Sequence, residues 1–359
     1  MRRFRIVGVI SLILLIVWTG VMPVTAQDGP DYWPTDGWRT SSPEAQDVDG
    51  DLLALMLAHI DERDIDIHGL VIVRHGYIIA EAYYEPYSET MQHTLASIAK
   101  SLTSILIGMA MQQGAITSVD QRLVDFFPDR TIANLDARKQ AITLEHLLTM
   151  TAGFDCRDAG NRTVEQMIRR PDWVQFMLDL PMSRDPGTDF NYCNGVSHLL
   201  SAIVHETTGM TALELAREQL FPTLGIGRVT WERDPDGNPA GGWGLYMTPR
   251  DMARLGILYL NDGAWDGEQL VPADYVAAST RRHSSDATMG YGYQWWVSSA
   301  VDFRAIGAGG QYIIVRPDYD LVVVFTSDPQ RNNYEELTGL FTGYILPAVR
   351  HGAPEGDDS

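Results

Sequence analysis

The order of strand-forming and helix-forming segments along this chain predicts an α+β fold in two lobes. Apolar runs rich in β-branched and aromatic residues stand near both ends, at 70–73 and 77–84 and again at 291–297, 303–306, 312–315 and 321–326. The stretch from Thr117 to about Arg282 reads as mostly helical. At 359 residues, 45% of them hydrophobic, the chain can bury a core large enough for two lobes. Strands at both ends imply that the two end regions meet in one mixed sheet. Residues 43–116 and 283–350 then form an α/β lobe, and 117–282 a mainly helical one.

The elements follow in order. Residues 1–26 read as a secretory signal, with a basic start at Arg2, Arg3 and Arg5, an apolar run from Ile6 to Met22, and small residues Val24-Thr25-Ala26 before Gln27. The cleaved form predicts a secreted or periplasmic protein, with an uncleaved membrane anchor as the alternative. Residues 27–42, rich in Pro, Gly, Asp and Trp, read as an extended lead-in. Leu52, Leu53, Leu55, Met56 and Ile60 mark a helix that starts at Pro43 or Asp49. Arg74-His75-Gly76 between two β-rich runs reads as a hairpin turn. Ile98, Leu102, Ile105, Leu106 and Met109 form an apolar stripe on a helix over 98–113, which Gly114 stops. Asp185-Pro186-Gly187 and the run from Asp234 to Pro239 punctuate the helical region. A last amphipathic helix covers 334–349, and 351–359 form a flexible tail.

The formal charge of −20 becomes −23 without residues 1–26, which hold three arginines and no acids. So acidic a chain repels nucleic acid and anionic membrane surfaces, which excludes both as partners beyond the signal segment. The charge speaks to solubility rather than to substrate. The nine histidines show no metal-ligand spacing: there is no HExxH, and His198 and His205 are too far apart along a helix to share an ion. No metal and no cofactor are expected.

Of twenty-seven basic residues only two are lysines, Lys100 and Lys139. Arginine does not lose its proton in a protein, whereas a buried lysine amine can be driven toward neutrality and act as a base. Lys100 follows Ser97 by three residues, so a helix starting at the serine brings the two side chains together. A serine hydroxyl is a weak nucleophile until a base takes its proton, and the helix N-terminus favours the negative charge that develops. The apolar neighbours Ile98, Ala99 and Leu102 supply a desolvated setting for the amine.

About ninety-five residues later stands Tyr192-Cys193-Asn194, preceded by Pro186-Gly187. Ser-x-x-Lys followed at this distance by Tyr-x-Asn resembles the serine β-lactamase and penicillin-binding-protein superfamily, in particular its class C and esterase branch. Leu147-Leu148-Thr149-Met150-Thr151-Ala152-Gly153, the run from Met247 to Gly256, and Tyr291-Gly292-Tyr293-Gln294-Trp295-Trp296 resemble that branch too. The resemblance spans about residues 45–348. It implies a β-lactamase/transpeptidase-like fold, with an antiparallel sheet flanked by helices beside a helical lobe. It implies Ser97 as the nucleophile of an acyl-enzyme, Lys100 and Tyr192 as the general base and acid, and Asn194 on the substrate or on Lys100.

The chain departs from the branch at the third motif. Where relatives carry Lys or His, a small residue and Gly, this chain has Gly307-Ala308-Gly309-Gly310-Gln311. Glycines let backbone approach a substrate closely, and by the resemblance Gly309 and Gly310 stand at the oxyanion, with the N–H groups of Ser97 and Gly310 as donors. The missing cation would pair with a β-lactam or peptide carboxylate, so the third motif is more similar to esterases and to 6-aminohexanoate-dimer hydrolase-type amidases. Cys156 and Cys193 flank segments that meet at such a site, and outside the cytoplasm they are expected to form a disulfide that stiffens the loop carrying Tyr192. The expected reaction is cleavage of a small-molecule ester or amide. The alternatives are a β-lactamase or D-amino-acid peptidase on cell-wall-type substrates, and a catalytically silent binding protein on the same fold. Trp243, Tyr246, Trp295 and Trp296 are candidates for the pocket wall or for plain core.

Overall fold

A computed structural model of the chain describes residues 32–158, 162–286 and 288–349; the signal segment and the tail after 350 lie outside the described residues. The largest sheet has eight strands, and the sequence alternation explains its placement. The strands are β1 (Gly69–Arg74), β2 (Tyr77–Tyr83), β6 (Ser284–Ser285), β7 (Gly290–Tyr291), β8 (Trp296–Ser299), β9 (Asp302–Gly307), β10 (Gln311–Arg316) and β11 (Leu321–Thr326). They lie in the order β2-β1-β11-β10-β9-β8-β7-β6. Every pairing among them is antiparallel, so the sheet is not mixed as the chain order alone suggested.

Strands β1 and β11 are buried along their whole length, which is why they read as unbroken apolar runs. Successive side chains point to opposite faces. Leu70, Ile72, Val323 and Phe325 accordingly join one core and Val71, Val73, Val322 and Val324 the other. The first core is closed by helix α1 (Gly50–Arg63), through Leu53, Met56 and Ile60, and by the C-terminal helix, through Leu337, Phe341 and Ile345. Asp49 caps α1 by accepting from the Leu52 N–H, so the helix begins at the later of its two candidate starts. The second core is continuous from the sheet through helix α2 (Ile98–Gln112) into the helical region.

Helix α2 departs from the expected amphipathic stripe. Residues 98–110 are all buried, because the helix lies between the sheet and the helical region. Its polar side chains are satisfied internally: Ser101 Oγ donates to the Gln294 carbonyl and Thr103 Oγ1 to the Gly241 carbonyl. The helical region contributes α3 (Leu144–Leu148), α4 (Trp173–Asp179), α5 (Asn194–Thr208) and α6 (Pro249–Leu260). A small sheet joins β3 (His93–Thr94), β5 (Leu245–Met247) and β4 (Thr230–Trp231), in that order.

Two further differences from the sequence reading have local causes. The run 291–297 is not one strand: Gln294 sits at φ 63°, which breaks it into β7 and β8. The lead-in is strapped down from residue 32 onward. The Trp33 ring packs on Trp265, the Arg254 guanidinium donates to the Pro34 carbonyl, and Thr40 bridges to Ile78 at the sheet edge.

Candidate active site

Strand β3 leads through Ala96, a non-glycine residue at φ 46°, into Ser97 at the head of α2. The left-handed turn is strained for an alanine and is held by the packing around it. Ser97 occupies the cap position but makes no capping hydrogen bond, so its hydroxyl is free to face the cavity. One turn on, Lys100 is 1% exposed. Its Nζ lies 3.0 Å from Ser97 Oγ, 2.6 Å from Asn194 Oδ1 and 2.8 Å from the Gly242 carbonyl. The last two are obligate acceptors and each takes an N–H. In the neutral amine the remaining direction, toward Ser97 Oγ, is the lone pair. Burial brings the Lys100 pKa down from 10.5 to about 7, with the Asp158 carboxylate opposing the fall.

Tyr192 stands beside the same pair: it lines the cavity together with Ser97, and its ring centroid is 4.8 Å from Lys100 Nζ. Burial drives its pKa far above the usual tyrosine value, so the phenol holds its proton at every ordinary pH. The ring stacks on Trp296 and meets Tyr291 edge-on. The segment carrying it lies along residues 150–156, with the Asn191 N–H donating to the Met150 carbonyl and its side-chain amide to the Cys156 carbonyl. Cys156 and Cys193 are joined in a disulfide, as expected from their positions. Asn194, the first residue of α5, holds Lys100.

The glycine turn differs from the expected arrangement. Gly310 donates its N–H to the Gly307 carbonyl at 3.3 Å, and the Tyr334 hydroxyl donates to the same carbonyl at 3.4 Å. Gly309 and Gly310 have φ of 83° and 96°, in the left-handed region, and neither lines the cavity. A Cβ at Gly309 would meet the Asp328 carbonyl and one at Gly310 the Leu337 side chain. Ile306 and Ala308 line the cavity in their place.

The cavity above Ser97 is about 860 Å³ and is walled by Phe190, Tyr192, Trp296, Tyr312, Tyr334 and Met289, with Asp158 and Asp286 as its charged groups. Among the described residues lining it there is no arginine, lysine or histidine. Of the four aromatic candidates, Trp296 lines the cavity. Trp295 is core, stacked on Tyr259, and Trp243 stacks on Trp173. Lys139, the other lysine, is a buried clamp that donates to the carbonyls of Ala133 and Leu178. Among the described residues, the group of His, Cys, Asp and Glu compact enough for a metal is Cys156, Asp158 and Cys193, whose sulfurs are already bonded to each other. His198 is buried against Asp234.

Sequence reasoning missed four participants. The Gly242 carbonyl has no side-chain signature. Asp158 looks like a turn residue. Tyr334 comes from the last helix, where its hydroxyl sits on the Gly307 carbonyl at 3.4 Å. Gln294 is a buried hub behind α2, visible beforehand only as one letter of the Tyr-Gly-Tyr-Gln-Trp-Trp run.

A serine at the head of a buried central helix, with lysine one turn on and Tyr-x-Asn across from it, is the arrangement of an active-site-serine hydrolase on a β-lactamase/transpeptidase-like fold. The chain belongs to the Beta-lactamase family, whose model matches residues 56–338. It is 25% identical over 330 residues to the 6-aminohexanoate-dimer hydrolase of Paenarthrobacter ureafaciens, covering 84% of this chain and 83% of that one. A Bacillus anthracis protein named after 6-aminohexanoate-dimer hydrolase superposes with a TM-score of 0.72 at 20% identity, over 90% of this chain and 89% of that one. EstCE1, a hydrolase with promiscuous acyltransferase activity, superposes with a TM-score of 0.67 at 17% identity, over 83% of this chain and 98% of that one.

The disulfide closes a sequence separation of 37 residues. Replacing both cysteines by serine is expected to lower stability by roughly 4 kcal/mol through the freed unfolded chain. Denaturant unfolding of the double variant beside the wild type checks this, and equal midpoints would contradict it.

Proposed function

We propose that the chain is an exported serine hydrolase that opens an ester or amide bond through an acyl-enzyme on Ser97, with Lys100 as general base and Tyr192 as general acid. The observation that carries this reading is the Lys100 amine, with two N–H groups tied to obligate acceptors and its third direction on Ser97 Oγ. As Ser97 Oγ attacks the carbonyl carbon, its proton passes to Lys100 Nζ. The N–H groups of Ser97 and Ala308 receive the oxyanion, Ala308 taking the part first expected of Gly310. Collapse breaks the bond to the leaving oxygen or nitrogen, which takes the Tyr192 proton, and Lys100 returns a proton to the phenol. Water then repeats the sequence in reverse and frees Ser97.

The cavity supports a neutral or cationic substrate rather than an anionic one. Its aromatic walls and two carboxylates offer no partner for the carboxylate that β-lactams and cell-wall peptides carry. Export is supported by the basic and apolar N-terminal sequence and by the disulfide.

A fluorophosphonate probe is expected to label the wild type and not Ser97→Ala. Of p-nitrophenyl esters, linear amides, D-amino-acid amides and nitrocefin, the esters or linear amides are expected to turn over and nitrocefin to lag well behind. Nitrocefin turnover rivalling the esters would move the reading to a β-lactamase. No labelling of folded wild type would move it to a binding protein.

A further inference from the structure

Cys193 immediately precedes Asn194, and its disulfide draws the 156–158 segment onto the start of α5. Asp158 Oδ2 there accepts the Asn194 N–H at 2.5 Å, capping the helix whose first side chain holds Lys100. Asp158 Oδ1 is buried with no hydrogen-bond partner. A half-satisfied buried carboxylate is costly unless positive charge stands near it. Here the α5 N-terminus and the Lys100 amine provide that charge.

We infer that Asp158 is a positioning residue of this site, pinned by the Cys156–Cys193 bridge over the start of α5, where it fixes Asn194 and biases the charge state of the Lys100 amine. The inference rests on the reading of Lys100 as the base. Around Lys100 stand the Ser97 hydroxyl, the Tyr192 ring, the Asn194 amide and the Gly242 carbonyl, none of which carries charge at ordinary pH. Among the described residues, the charge acting on the amine is that of Asp158, which holds the Lys100 pKa up against the depression caused by burial. The other carboxylate of the cavity, Asp286, is occupied by the N–H groups of Thr288 and Met289 and the Thr288 hydroxyl. The bridge therefore does more than stiffen a loop. It delivers one carboxylate whose removal makes the base easier to deprotonate and the Asn194 contact looser.

Asp158→Asn is the discriminating variant, because asparagine can keep the helix cap while losing the charge. With two lysines in the chain, ¹³Cε-lysine NMR gives two signals, and the one absent from Lys100→Arg belongs to Lys100. Its titration midpoint is expected to fall by about one pH unit in Asp158→Asn, the scale of one charge at this range in a partly screened site. The acid limb of kcat/KM for a neutral p-nitrophenyl ester should fall with it. Asp158→Glu keeps the charge and should stay near the wild-type midpoint, and Asp158→Ser supplies a second neutral capping variant should the asparagine fold poorly. An unmoved Lys100 midpoint in the neutral variants overturns the inference. So does an unmoved pH limb with KM raised only for ammonium-bearing substrates, which would make Asp158 a substrate contact. The NMR midpoint is read without turnover, so it separates failure of this inference from failure of the hydrolase reading.

Discussion

Lys100→Arg is expected to leave a folded protein with almost no esterase activity, kcat/KM being lower by a factor of about 10³ or more. The charge is kept and the function is lost, because a guanidinium does not give up its proton and presents a planar fork where the site holds a tetrahedral nitrogen. The pH profile of the wild type follows from the same group. On the proposed mechanism the base works as the neutral amine, and burial brings its pKa down to about 7. Below that pH the amine is protonated and the rate falls about tenfold per unit; above it the rate rises to a plateau. Tyr192 adds no alkaline limb in the ordinary range, since burial moves its pKa upward, away from neutrality. A profile of kcat/KM against pH from 5 to 9, on a neutral ester, tests both statements. A flat profile, or a Lys100→Arg variant of near wild-type activity, would remove Lys100 from the role of base.

The parts of this site that were legible beforehand are those that side chains announce. Ser97 and Lys100 sit at helical spacing in a chain nearly without lysine, and Tyr192-Cys193-Asn194 carries its own signature. The parts that were not legible are backbone groups and distant partners. Gly242 lies 142 residues from Lys100 and contributes only a carbonyl. The pair Gly309-Gly310 invited an oxyanion role because glycine permits close approach. Their positive φ values instead serve the turn between β9 and β10, which the Gly310 N–H closes onto the Gly307 carbonyl. Asp158 became visible only through the disulfide that brings it to α5.

The fold was legible for a related reason. Strands buried on both faces must be apolar throughout, so Leu321-Val322-Val323-Val324-Phe325 could hardly be anything else. Strand direction was readable at the Arg74-His75-Gly76 hairpin but not for the sheet as a whole, because the order of segments does not say which strands from the two ends of the chain become neighbours. The stripe on α2 was real but incomplete. A helix packed on all sides needs its serines and threonines bonded inward, and their partners lie far along the chain.

Gln294→Leu is expected to be strongly destabilising for a single substitution, at about 3 kcal/mol from three buried side-chain hydrogen bonds lost. Gln294 is 1% exposed, and its amide joins the elements that carry the site. Nε2 donates to the carbonyls of Leu147 and Leu148 in α3, and Oε1 accepts the Ser197 hydroxyl of α5 at 2.6 Å. Its own carbonyl takes the Ser101 hydroxyl of α2. Leucine fills similar volume but loses all three side-chain hydrogen bonds and leaves the Ser197 hydroxyl without its acceptor. The Leu148 carbonyl keeps the backbone N–H of residue 294 and the Leu147 carbonyl that of Met150; the positive φ also suits leucine poorly. For a chain of this size that loss corresponds to a Tm lower by about 4 °C. Ser197→Ala removes one partner only and should cost about 1–2 kcal/mol. Activity should follow geometry: α5 carries Asn194 and α2 carries Ser97 and Lys100, so loosening their shared anchor should lower kcat more than it raises KM. Thermal melts and ester kinetics on both variants decide the matter, and a Gln294→Leu protein melting with the wild type would show that α2, α3 and α5 are held together by their apolar contacts alone.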